Sequence, residues 1–135
     1  MNSKRAQLSF EYLYVIGILL VVLIPLVYYS FDSSSEDIRR ERLAESISSL
    51  KNGINTVYAL GPRNIQKITI DLPGSIANIS INNSELNIMA YMGGKISEYD
   101  IHTPINVTGS IKNEEGYHTI KIEYLQSGII NITDQ

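Results

Sequence analysis

The chain contains no cysteine. No disulfide can staple its fold, and cysteine-based metal or redox chemistry is excluded. Histidine is almost as scarce: His102 and His118 are the only two, far apart and without a flanking pattern of metal ligands. Both are read as surface or rim positions on strands. Gly93-Gly94-Lys95 lacks the loop spacing and the following Ser or Thr of a phosphate-binding loop, so it is read as a hairpin turn. Serines fall mainly in turns and caps, and no Ser, His and acid arrangement stands out. The expectation is a non-enzyme that uses no metal and no other cofactor. Positive charge is also short, with 11 Lys and Arg against 14 Asp and Glu and a net charge of −3. Nucleic acid is therefore not an expected partner, because binding its phosphate backbone needs clustered positive charge.

What the chain does have is one long apolar run. From Tyr12 to Phe31 there are 20 residues without a formal charge. At about 1.5 Å per helical residue they span roughly 30 Å, the hydrocarbon thickness of a bilayer. Lys4 and Arg5 precede the run, and the acidic cluster Asp32, Glu36 and Asp37 follows it. The positive-inside bias then puts the N-terminus in the cytoplasm and everything after Ser30 outside. Pro25 removes the hydrogen bond to the Val21 carbonyl and is expected to kink the helix or thin it locally. Tyr28 and Tyr29 suit the outer membrane interface, and Tyr12 and Tyr14 the inner one. An ordinary secretory signal has a shorter apolar core and a small-residue cleavage site, for which Ser33-Ser34-Ser35 is the one weak candidate.

Glu11 breaks the apolar segment near its start. A carboxylate inside a membrane costs of order 2.5 to 3.5 kcal/mol at mid-bilayer, so it needs a positive partner. A cut between Ala6 and Gln7 would create an α-amino group four residues before Glu11, on the same helix face. The same pairing could form between neighbouring chains.

The order Lys4-Arg5-Ala6, then Gln7-Leu8-Ser9-Phe10-Glu11-Tyr12 and an apolar helix, resembles the class III signal peptide of archaeal type IV pilin-like proteins. The likeness covers about the first 30 residues. It implies that a prepilin peptidase removes residues 1–6, that Ala6 and Gln7 flank the cut, and that Glu11 matches the acid used for subunit pairing. Ala6 departs from the Gly frequent before the cut in such leaders. The leader itself is expected to have no structure of its own. Its loss takes the side-chain charge from −3 to −5.

Ser30 to Glu36 reads as a juncture, with Ser33 and Glu36 spaced as a capping box that can start a new helix. A hinge or helix restart is expected there. Beyond it, Leu43, Ile47, Leu50, Ile54 and Val57 recur at steps of 4, 3, 4 and 3, while Arg39, Arg40, Glu41, Arg42, Glu45 and Lys51 occupy the other faces. This is an amphipathic helix over 32–60, stopped by Gly61-Pro62. Asn52-Gly53 inside it marks an expected bend. If the two helical pieces are continuous, 54 residues from Gln7 reach about 80 Å, which outruns any bilayer.

After Pro62 the pattern becomes alternating strands: Gln66 to Leu72, Ile76 to Asn82, Glu85 to Met92, Ile96 to His102, Ile105 to Ile111, Tyr117 to Gln126 and Ile129 to Thr133. Turn signals such as Pro73-Gly74 and Ser127-Gly128 separate them. The fold class expected is α+β, a long N-terminal helix followed over 61–135 by a small antiparallel β-sandwich of about seven strands. Four N-x-S/T sequons, at Asn78, Asn82, Asn106 and Asn131, lie in this outward domain and make glycosylation an expectation.

The function these readings lead to is a major or minor subunit of an archaeal type IV pilus-like surface filament. Its partners would be the membrane, the prepilin peptidase and other pilin subunits. The alternative of another class is a single-pass cell-surface β-sandwich that binds or adheres without polymerising. An enzyme domain on an anchor is a third reading, which no residue pattern supports.

Overall fold

The computed structural model describes residues 3–135, with side chains over 10–31 and 34–135. One helix, α1 (Ser3–Leu60), precedes seven strands: β1 (Ile65–Leu72), β2 (Ile76–Asn82), β3 (Glu85–Met92), β4 (Lys95–His102), β5 (Val107–Ser110), β6 (Gly116–Tyr124) and β7 (Ile130–Asp134). The architecture is α+β, as the periodicities indicate. Two compact units divide it, the second being Ile38–Gln135.

The first unit is helix throughout its described length. Residues 3–6, expected to lack structure, are helical, because extending a helix costs far less than nucleating one. The expected restart at Ser33 and Glu36 is also absent, since helical backbone runs unbroken through 30–38. A serine-rich stretch can stay helical by bonding back to its own turn, and the Ser34 hydroxyl donates to the Ser30 carbonyl at 2.9 Å.

In the second unit the helical stripe meets the strands. Leu43, Leu50, Ile54 and Val57 are each at most 1% exposed, and Ile47 is half-buried. Burying each such side chain contributes roughly 1.5–3 kcal/mol. Arg39, Arg40, Glu41, Arg42, Glu45 and Lys51 are exposed, as the period of 3.6 requires. Gly53 is buried and its helical backbone continues. A Cβ there would stand 2.7 Å from Ile122 Cδ1, so Gly53 is a place of close helix-to-sheet approach. The helix stops at Gly61, whose φ of 86° only glycine adopts freely. The Asn64 amide then donates to the Leu60 and Gly61 carbonyls at 2.8 and 3.0 Å.

The strands form two sheets, in the orders β1-β6-β7-β5 and β2-β3-β4. Inner faces carry Ile70 and Leu72, Ile120 and Ile122, Ile130 and Ile132 in the first, and Leu86, Ile88, Ala90 and Ile101 in the second. They share one apolar core with the helical stripe. The sheets abut where β2 meets β5: Val107 N–H donates to the Asn83 carbonyl, and the Asn113 amide to the Ala77 carbonyl at 3.0 Å. Chain order is reversed between these two contacts, so β2 runs against β5.

One pairing differs from the all-antiparallel expectation. β5 lies parallel to β7, with Val107 opposite Ile130 and Gly109 opposite Ile132. β5 is also shorter than the run Ile105 to Ile111, because Thr103 Oγ1 donates to the Ile105 carbonyl at 2.7 Å and holds that end in a turn. Gly109 has a φ of 125°, and a Cβ on it would overlap the Ile132 carbonyl. Gly109→Ala is expected to lower the thermal midpoint of the full chain in detergent by more than Leu50→Ala does, itself a loss of about 2–5 kcal/mol. Circular dichroism melts of the two variants check this order.

Candidate functional site

The most unusual surface is the apolar part of α1. Every residue from 10 to 31 is exposed. Phe10, Tyr14, Val21 and Phe31 are each more than 70% exposed, and apolar side chains cover all faces of this stretch. Soluble monomers rarely expose more than a few hundred Å² of contiguous apolar surface. A helix apolar all round calls for lipid or other apolar helices as its surroundings. It is long and apolar enough to cross a membrane. Between Phe10, Tyr14, Gly17 and Val21 lies a shallow groove, since nothing stands within 4 Å of where a Gly17 Cβ would be. Small residues at such positions let another helix come close.

Glu11 stands within this surface, exposed and without an ion-pair partner among the described residues. Gln7 lies one helical turn before it on the same face. The side chains of Lys4, Arg5, Ala6 and Gln7 lie outside the described residues. Backbone at all four is helical.

The four sequons are spread over the β-domain. Asn78, Asn82 and Asn106 are exposed, whereas Asn131, on a strand paired along both edges, is half-buried with its amide 3.4 Å from Thr133 Oγ1. The histidines part company. His102 is exposed, with Nδ1 at 3.2 Å from Glu85 Oε1, as a surface reading requires. His118 is not at a surface or rim: its side chain is 8% exposed, on the inward side of β6 beside Ile120.

His118 is buried because both ring nitrogens are satisfied there. Nδ1 lies 2.7 Å from Asp134 Oδ2, and Nε2 lies 2.9 Å from the Glu114 carbonyl. A carbonyl only accepts, so Nε2 carries a proton. The Asp134 carboxylate also accepts from Lys112 N–H at 3.0 Å, and its side chain is 4% exposed. The cluster ties the 112–116 loop, β6 and the final strand together. Sequence spacing could not have found it, since residues 114, 118 and 134 meet only through strand pairing. Among the described residues no three His, Asp or Glu side chains gather in a way that could hold a metal.

Comparisons with protein-family profiles, with curated proteins and with solved structures find no match.

The buried pair makes a stability prediction. His118→Leu leaves the Asp134 carboxylate buried without its partner, and removing one member of a buried pair costs about 3–5 kcal/mol. The double change His118→Leu with Asp134→Leu removes both buried polar partners and is expected to recover most of that loss. Denaturant midpoints of wild type, single and double variants measure it; a single variant as stable as wild type would refute the structural role.

Proposed function

We propose that the chain is a subunit of an archaeal type IV pilus-like filament, anchored in the membrane before assembly and held in the filament by its N-terminal helix. The observation that carries this reading is a helix apolar on every face over 10–31 with one acid, Glu11, at its start. A simple anchor has no need of that acid, which costs free energy in lipid. A filament core of packed helices has a use for it.

In this mechanism a prepilin peptidase cuts between Ala6 and Gln7 on the cytoplasmic side. The freed Gln7 amine and the Glu11 carboxylate lie a helical turn apart, close enough to pair within one chain or across two. Pairing between neighbours sets how far one helix is displaced along the next, and removes two unpaired charges from an apolar interior. The apolar helices then exchange lipid for one another. Gly17 gives room for a neighbouring helix. The β-domain forms the exterior, where Asn78, Asn82 and Asn106 are open to glycan attachment and Asn131 is less so.

The N-terminal peptide of protein isolated from its native envelope tests the processing step by mass spectrometry. A start at Gln7 is expected; a start at Met1 would favour the non-polymerising surface protein. Glu11→Gln is expected to leave processing and membrane insertion intact while reducing sheared, pelletable filament by an order of magnitude or more, from an interaction of about 1–3 kcal/mol repeated at every subunit. Normal filament yield from that variant would overturn the pairing step.

A further inference from the structure

The two sheets leave two open edges. β1 bounds one sheet and β4 the other, and no strand among the described residues pairs with either. Which residues face outward follows from the hydrogen bonding. On β1, Asp71 turns its N–H and carbonyl away from β6, to the Ser46 hydroxyl at 3.1 and 2.8 Å. Residues alternate along a strand, so Ile65, Lys67 and Thr69 present their backbone groups to the same open side. Ser46 thus seals only one end of this edge.

On β4, the two-residue Gly93-Gly94 hairpin makes Met92 and Lys95 a hydrogen-bonded pair. Thr103 N–H, of the same parity as Lys95, donates inward to the Ser84 carbonyl at 2.9 Å. Ile96, Glu98 and Asp100 therefore face outward. Beyond the end sealed by Ser46, β1 offers three residues' worth of outward N–H and carbonyl groups and β4 offers four, His102 being of the same parity, and the side chains of all seven are exposed.

Charge on an edge ordinarily protects it from pairing. Here the charges have opposite sign on the two edges. Lys67 is the charge of β1 between 65 and 69, whereas β4 carries Glu98 and Asp100. Both acids accept from the Asn87 amide, at 2.5 and 2.6 Å, and neither meets a cation among the described residues. Two β1 edges would set Lys67 against Lys67, and two β4 edges would set acid against acid. Only β1 against β4 is complementary.

We infer that β1 of one copy pairs with β4 of a second copy of this chain through their open edges, with Lys67 opposite Glu98. Strand directions agree with this. β1 runs with β7 and β5, β5 runs against β2, and β2 runs with β4, so copies sharing one orientation bring the two edges together antiparallel. Ile65 then falls beside Asp100 and Thr69 beside Ile96. A slip of two residues would place Lys67 opposite Asp100 and keep the ion pair. The contact joins unlike surfaces, so a joined pair retains one free β1 edge, on one copy, and one free β4 edge, on the other. It propagates as an open chain instead of closing as a dimer. The inference rests on the filament reading only for the shared orientation of neighbours.

The absence of cysteine makes a direct test available. Full-length chains carrying both Lys67→Cys and Glu98→Cys are oxidised in isolated envelopes and in sheared filaments. A ladder of dimers, trimers and higher species is expected. An equal mixture of the two single variants should stop at dimers, and each single variant alone should match an exposed control, Lys112→Cys. The same ladder from Lys67→Cys with Asp100→Cys supports the pairing in its slipped register. Dimers from Lys67→Cys alone at the level of the mixture would overturn the inference. So would the lack of any ladder, in either register, from filaments that pellet normally; that result leaves the filament reading standing. A ladder in envelopes of cells that make no filament supports the edge pairing and overturns the filament reading. As a check without thiols at the two edges, Lys67→Glu in chains joined by a lysine-reactive or carboxyl-reactive cross-linker should lower oligomer yield about tenfold, and Glu98→Lys added to it should restore the yield.

Discussion

The β-domain depends on one face of one helix. Leu43, Leu50, Ile54 and Val57 are buried in one apolar core with the inner faces of both sheets, and the helix comes directly against β1 and β6 at Gly53. Some 75 residues after Leu60 make too small a body to bury its apolar side chains well by itself. No disulfide compensates. The helical stripe supplies the missing layer, which is why the compact unit begins at Ile38 and takes in the second part of the helix. Ser46 extends this dependence to the backbone, since its hydroxyl satisfies both polar groups of Asp71 on an edge that has no neighbouring strand.

Further back, the same helix obeys a different solvent. Over 10–31 apolar side chains cover every face, and none is buried by the chain itself. A stripe needs one apolar neighbour on one side; a fully apolar cylinder needs apolar surroundings on all sides. Lipid meets that demand, and so does a bundle of identical helices. The proposed filament uses the two in turn, with Glu11 as the residue whose cost in lipid is offset on assembly. On the outside, opposite charges on the two open sheet edges would give the β-domains a directional contact with the same open-ended symmetry as the helices.

Several features were legible because they follow from local rules. All seven strands lie where alternation and turn residues put them, with ends within three residues. The helix end at Gly61 and the stripe from Leu43 to Val57 were equally plain. Where local rules misled, a longer-range contact had taken over. Ser33 and Glu36 have cap spacing, but a helix already running through them leaves nothing to cap. Gly53 looked like a weak point and is a contact point, because Ile122 and Ile68 occupy the space its side chain would need. His118 looked like a rim residue until Asp134 and the Glu114 carbonyl closed on its ring.

Sequence alone therefore determined the elements, the apolar faces and a helix long and apolar enough to cross a membrane with an acid at its start, because periodicity, charge order and turn chemistry act within a few residues. Tertiary structure alone decided the parallel placement of β5 beside β7, the Gly109 contact, the buried His118–Asp134 pair and the two free edges with opposite charge. Each of these depends on which strand lies next to which. That is settled by how two sheets and one helical stripe fill a common core, a choice made across the whole domain and written in no single stretch of it.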